Sequence, residues 1–132
     1  MPRKARRFLA LFAAAGALIA VSAPAIANTT YSSYSTTVGF GVRPYGYSDY
    51  QTKAVGGATG TLKSSNVGGS YVLSARTNSS KRVGTWTGYT VSDGTKHELL
   101  NSHTAGEKVR LQLKNRPQTT VSVQASGTWR AY

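Results

Sequence analysis

The sequence predicts an all-β protein: a small antiparallel β-sandwich or barrel of about seven or eight short strands, preceded by a cleavable signal-peptide helix. Three observations carry this expectation. Apolar residues recur with a period of two, the spacing of a strand with one dry and one wet face. From Asn28 onwards, Ser and Thr supply 30 of 105 residues and Gly supplies 13, a composition of strand formers and turn residues. No window of that region carries the three-to-four residue apolar rhythm of a helix.

In chain order, the first element is an address. Arg3, Lys4, Arg6 and Arg7 precede an uncharged run over residues 8–23, and Ala25-Ile26-Ala27 supplies the small residues a signal peptidase reads. That run is interrupted by Gly16 and is shorter than the roughly 20 apolar residues of a spanning helix. The expected organisation is a signal peptide over 1–27, cleaved after Ala27, and one secreted β-rich domain over 28–132. The product is expected outside the cell or on its surface, and the short basic start has a bacterial look. Cysteine is absent, which excludes disulfides, thiolate metal sites, thiol catalysis and a lipidated cysteine anchor.

The strands follow. Over residues 34–42, Tyr34, Thr36, Val38, Phe40 and Val42 share one face, so Tyr34 and Phe40 are expected in the core. Less regular strands are expected over 51–55, 59–64, 70–77, 82–91 and 96–100. Asp93-Gly94 marks a tight hairpin turn between the last two. The stretch 82–91 leaves Trp86 open, either a core residue given room by Gly84 and Gly88 or part of a binding face. Val109, Leu111 and Leu113 form the dry side of residues 107–114, and Val121, Val123 and Ala125 that of residues 119–126. If these two strands form a hairpin, inward must meet inward. A five-residue loop over 115–119 does this, pairing Leu113 with Val121, Leu111 with Val123 and Val109 with Ala125; Pro117 sits in that loop because it has no N–H for a ladder.

Catalytic patterns are near misses. Gly46-Tyr47-Ser48-Asp49-Tyr50 lacks the second glycine of a nucleophile elbow. His97-Glu98-Leu99-Leu100 begins like a zinc-protease helix, but residue 101 is Asn and the next histidine is His103. Both histidines are expected as solvated loop residues. The acids are four in number, Asp49, Asp93, Glu98 and Glu107, and lie in or beside turns or charged strands. The expectation is a non-enzyme with no catalytic residues, cofactor or metal site.

Charge and aromatic surface remain. From residue 28 onwards, 12 Lys and Arg oppose four acids, a net charge of +8. Lys108, Arg110 and Lys114 project from the wet side of one strand, and Arg116 extends them at its turn. Across the expected hairpin they meet Thr120, Gln124 and Ser126. Such a face suits phosphate or carboxylate groups. Six of the eleven aromatics of this region fall within residues 28–50, and Tyr45, Tyr47 and Tyr50 are the candidate aromatic surface, able to stack on sugars. The expected partner is an anionic cell-wall polymer, an acidic glycan or a membrane surface, with no nucleic acid as primary target of an exported protein. An antibacterial role is one use of such a surface, since the secreted, cationic, cysteine-free, β-rich make-up resembles that of some bacteriocins. The alternatives are a bacteriocin-like toxin and a self-associating structural or adhesive surface protein.

Overall fold

The computed structural model describes residues 30–132, so the signal-peptide expectation lies outside the described residues. Among them the strands are β1 (Ser32–Val38), β2 (Tyr45–Tyr47), β3 (Gln51–Thr52), β4 (Gly60–Val67), β5 (Leu73–Asn78), β6 (Lys96–Leu99), β7 (Lys108–Asn115) and β8 (Val123–Arg130). They form two antiparallel sheets and no helix. Sheet I runs β1-β8-β4-β6. In sheet II, β7 is central, with β2 and β3 along one edge and β5 along the other. The dry rows of the two sheets meet in one core: Leu73, Ala75, Val109, Leu111 and Leu113 from sheet II, and Tyr34, Val38, Leu62, Val67, Leu99, Val123, Ala125 and Trp129 from sheet I.

The hairpin expected between residues 107–114 and 119–126 does not form, because β7 and β8 belong to different sheets. Both rows point inward, as their alternation requires, yet they meet across the core instead of side by side. Period two fixes which side of a strand is dry; an arch between sheets satisfies it as well as a hairpin does. Asn115 pins the crossing. Its buried Nδ2 donates to the Gly39 and Val121 carbonyls, each at 3.1 Å. Val121 itself is exposed, not a core residue. The Asp93-Gly94 turn likewise joins the sheets: Val91 bridges to Leu73 in sheet II, whereas β6 pairs with β4 in sheet I. Gly94 takes a φ of 68° there, and the Asp93 carboxylate accepts the Val67 N–H at 2.6 Å, closing the end of β4.

Two further expectations change at glycines. The first strand stops at Val38, and Phe40 and Val42 are exposed (46% and 97%), not buried with Tyr34. A side chain at Gly39 would strike the Arg43 carbonyl oxygen, and the Gly39 N–H instead closes a loop onto the Tyr45 carbonyl at 3.2 Å. Residues 82–91 form no strand; they meet β5 through bridges at Val83 and Val91 and through the Gly84 and Thr87 N–H groups, which donate to the Thr77 and Ala75 carbonyls at 2.8 and 2.9 Å. At Gly84 an added Cβ would meet the Thr77 hydroxyl and, at 2.7 Å, the Leu100 carbonyl oxygen, so the chain passes too close for any side chain.

A β-bulge in β4 was not legible. The register slips between Ser64 and Asn66, so Leu62 and Val67, five apart, both reach the core. Nor was the burial of Gln51 and Lys53. Gln51 exchanges side-chain hydrogen bonds with the Trp129 carbonyl (3.0 Å) and the Ala131 N–H (2.8 Å). Lys53 Nζ donates to the carbonyls of Ala131 (2.7 Å) and Ala58. Together they strap the edge of sheet II to the strand end of sheet I. Burial lowers the Lys53 pKa from its ordinary value.

Candidate functional site

The outer face of sheet II gathers the residues that the sequence singled out in two separate groups. Along β7 the inward row of Val109, Leu111 and Leu113 leaves Lys108, Arg110, Gln112 and Lys114 on the other side. Register decides their neighbours. Lys114 lies opposite Tyr45 on one side and Ser74 on the other; Gln112 lies between Tyr47 and Arg76; Arg110 lies beside Asn78, and Lys108 opposite Thr52. The candidate cations and candidate aromatics therefore form one surface. Tyr45, Tyr47 and Tyr50 stay open to solvent at 38%, 37% and 52%.

Rings and cations alternate across it. The Arg110 guanidinium stands 3.8 Å from the Tyr47 ring centroid and 5.2 Å from that of Tyr50. On the opposite edge Arg76 lies 4.3 Å and Lys114 5.4 Å from the Trp86 centroid. Each such contact contributes about 0.5–1 kcal/mol at an exposed site. Gln112, buried at the centre, is the hinge of this layer. Its Oε1 accepts from Arg76 Nε (2.8 Å) and Asn78 Nδ2 (3.4 Å), and its Nε2 donates to the Tyr47 hydroxyl (3.4 Å). Arg110 Nε donates to Asn78 Oδ1 at 3.3 Å. Both guanidinia thus commit Nε to the sheet, and among the described residues their Nη groups take no protein acceptor.

Among the described residues no carboxylate pairs with Arg76, Lys108, Arg110 or Lys114. Glu107 is committed to Arg82 at 3.3 Å and to His103 at 2.8 Å, and Asp93 to a backbone N–H. A planar, held guanidinium with unused donors is suited to the oxygens of phosphate, sulfate or carboxylate. An adjacent exposed ring offers a flat apolar face to a sugar.

Not every candidate joins this surface. Arg116 follows the end of β7, and its backbone N–H bonds to Asn115 Oδ1 at 3.0 Å; its side chain makes none of the ring contacts. Gln124 and Ser126, expected across a hairpin from the cations, lie instead on sheet I, opposite Thr37 and Ser35 of β1. Arg76, Asn78 and Gln112 were missed as members, and Trp86, left open between core and binding face, lies on the face beside Arg76 and Lys114. The alternation Ser74, Arg76, Asn78 within residues 70–77 and just beyond was a usable signal; the partnership with Trp86 was not, because it depends on an irregular segment.

His103 is a correction. It is fully buried, not solvated. Its Nδ1 meets Glu107 Oε2 at 2.8 Å and its Nε2 meets Thr77 Oγ1 at 2.9 Å. Glu107 also takes hydrogen bonds from the Ser79 hydroxyl and the Thr104 N–H. Burial alone would raise the Glu107 carboxyl, but these donors and the neighbouring imidazole hold it at about 2. The order hydroxyl, imidazole, carboxylate is that of a general-base relay, yet Thr77 and His103 are sealed from solvent, and the group works as a latch between β5 and the turn before β7. His97 lies on β6, half-buried, with Nε2 2.8 Å from Thr95 Oγ1, and burial lowers its pKa. It lines a cavity of about 260 Å³ with Thr85, Trp86, Thr87, Glu98 and Leu100. Among the described residues no three His, Asp or Glu side chains gather as metal ligands.

Comparison of the chain with protein-family models, with curated proteins and with solved structures finds no match.

Proposed function

We propose that this is an exported, non-enzymatic binding protein whose sheet II outer face engages an anionic, sugar-bearing polymer of the cell envelope. One observation carries the reading: Arg76, Lys108, Arg110 and Lys114 share a face with Tyr45, Tyr47, Tyr50 and Trp86, and no carboxylate pairs with those cations among the described residues. The Nη groups of Arg76 and Arg110 supply donors to acidic groups, and the tyrosine rings supply stacking surface for the sugars between them. Holding the guanidinia against rings and through Gln112 lowers the entropy lost on binding. The attraction is electrostatic at range and fades over about 8 Å in physiological salt.

The test is retention on an immobilised polyol-phosphate wall polymer at low and raised salt. Wild-type protein should be released by salt. The triple variant Lys108→Gln, Arg110→Gln, Lys114→Gln should bind at least tenfold more weakly, about 1.4 kcal/mol. Tyr47→Ala with Tyr50→Ala should weaken binding to the sugar-bearing polymer more than to inorganic polyphosphate. Retention indifferent to salt and to the triple variant would remove the proposal.

A further inference from the structure

The second sheet carries its own cationic face on the far side of the molecule. On sheet I the outward row of β8, Gln124, Ser126, Thr128 and Arg130, lies between Ser33, Ser35 and Thr37 of β1 and Thr61, Lys63 and Asn66 of β4. Lys63 is in turn the direct register partner of Lys96 on β6. Two like charges placed opposite one another across a ladder destabilise a sheet. Tyr31 lies beneath this cluster: Lys63 Nζ is 4.2 Å and the Arg130 guanidinium 4.8 Å from its centroid, and Arg130 is also 4.6 Å from the Tyr132 ring. The Tyr31 hydroxyl registers the same field. Burial would raise its pKa, but a hydrogen bond with Thr61 and the charges of Arg130, Lys63 and Lys96 lower it. The face contains one acid, Glu98, opposite Thr61 on β6; it makes no ion pair with Lys63 or Lys96 among the described residues.

We infer that sheet I carries a second site for an anionic polymer, so that one molecule bridges two polymer segments, one on each outer face. The inference rests on the function proposed above for sheet II. Its own support is the unrelieved Lys63–Lys96 pairing beside a ring-backed Arg130, an arrangement that an incoming anion would relieve. The two sheets pack back to back around one core, so the sites face in opposite directions and cannot share a single short ligand. The row beside it, Ser33, Ser35 and Thr37 of β1 with Gln124, Ser126 and Thr128 of β8, offers hydroxyls and amides, which favours a hydrated polymer over a lipid surface.

The experiment mixes purified protein with long-chain dextran sulfate, with a short sulfated oligosaccharide and with anionic phosphatidylglycerol vesicles, following light scattering beside direct binding. Bridging predicts scattering with the long polymer that rises and then falls as protein is added in excess, and no scattering with the short one. Lys63→Gln with Lys96→Gln should keep binding through sheet II while losing at least tenfold of the scattering. Arg110→Gln with Lys114→Gln should also lose the scattering but keep weak binding through sheet I. If the sheet I variant scatters like wild type, the second site is rejected while the sheet II proposal stands. Absence of binding by the wild type rejects both. Clustering of vesicles without clustering of polymer, or self-association in polymer-free controls by sedimentation, also overturns bridging.

Discussion

Glu107 shows how a single carboxyl can tie distant segments together. It sits where four groups converge, the Ser79 hydroxyl, the Thr104 N–H, His103 and Arg82, and its pKa falls from 4.5 to about 2. A carboxyl depressed on folding adds stability that is complete above its unfolded pKa, here about 4.5. That stability is lost as pH falls through the folded value of about 2. Denaturant midpoints measured between pH 2 and pH 7 should therefore decline at the acid end for the wild type. Glu107→Gln should be less stable at pH 7 and should lose that component of the acid slope; an unchanged slope would assign the acid sensitivity elsewhere. His103→Ala removes the partner from a buried pair and leaves Thr77 and Glu107 facing a void. A loss of about 3 kcal/mol in urea unfolding is expected. These roles were out of reach of sequence reading. Histidine and glutamate four residues apart in a polar stretch look solvated until β5 is brought over them.

Among the elements, β7 carries most of what was legible. Its alternation alone identified Val109, Leu111 and Leu113 as core and Lys108, Arg110 and Lys114 as surface, because a strand has two sides and one is dry. It did not identify the neighbours. Whether β8 or β2 and β5 flank it depends on where loops cross, and Asn115 and Gly46 decide that by local fit. At Gly46 an added Cβ would stand 2.9 Å from the Thr37 carbonyl oxygen, where β2 passes under β1. Gly127 gives a direct test at the β4 bulge. A Cβ there would strike the Lys63 carbonyl oxygen and approach the Ser65 nitrogen at 3.0 Å, both backbone atoms that cannot swing aside. Gly127→Ala should cost about 2 kcal/mol or more by thermal or denaturant unfolding, whereas Gly69→Ser, in open space but at a φ of 87°, should cost about 1 kcal/mol from backbone strain alone. Equal losses at the two sites would show that the close approach at Gly127 carries no energetic weight.

At the scale of the whole molecule, binding and stability should separate. The cations of both outer faces sit on a core they do not enter, and each ring contact is worth only about 0.5–1 kcal/mol. Arg110→Gln with Lys114→Gln should leave near-native unfolding curves while reducing polymer retention at least tenfold; a collapse of stability would mean that the cations hold the sheet together rather than present it. Export belongs to this scale as well. On the proposed export, protein recovered from the culture medium should begin at Asn28, and Edman sequencing checks it.

Composition and alternation by themselves determined an all-strand fold, the dry and wet sides of β1, β7 and the start of β8, and the presence of cations and aromatics with too few acids to balance them. Those properties are local, set by backbone pleat and by the side chains along one strand. Tertiary structure alone decided that β7 and β8 face each other across the core, that Tyr47 and Tyr50 flank Arg110 and Trp86 flanks Arg76, and that His103 is sealed inside. These outcomes depend on which distant segments share an edge, and loop crossings governed by a few close backbone contacts settle that.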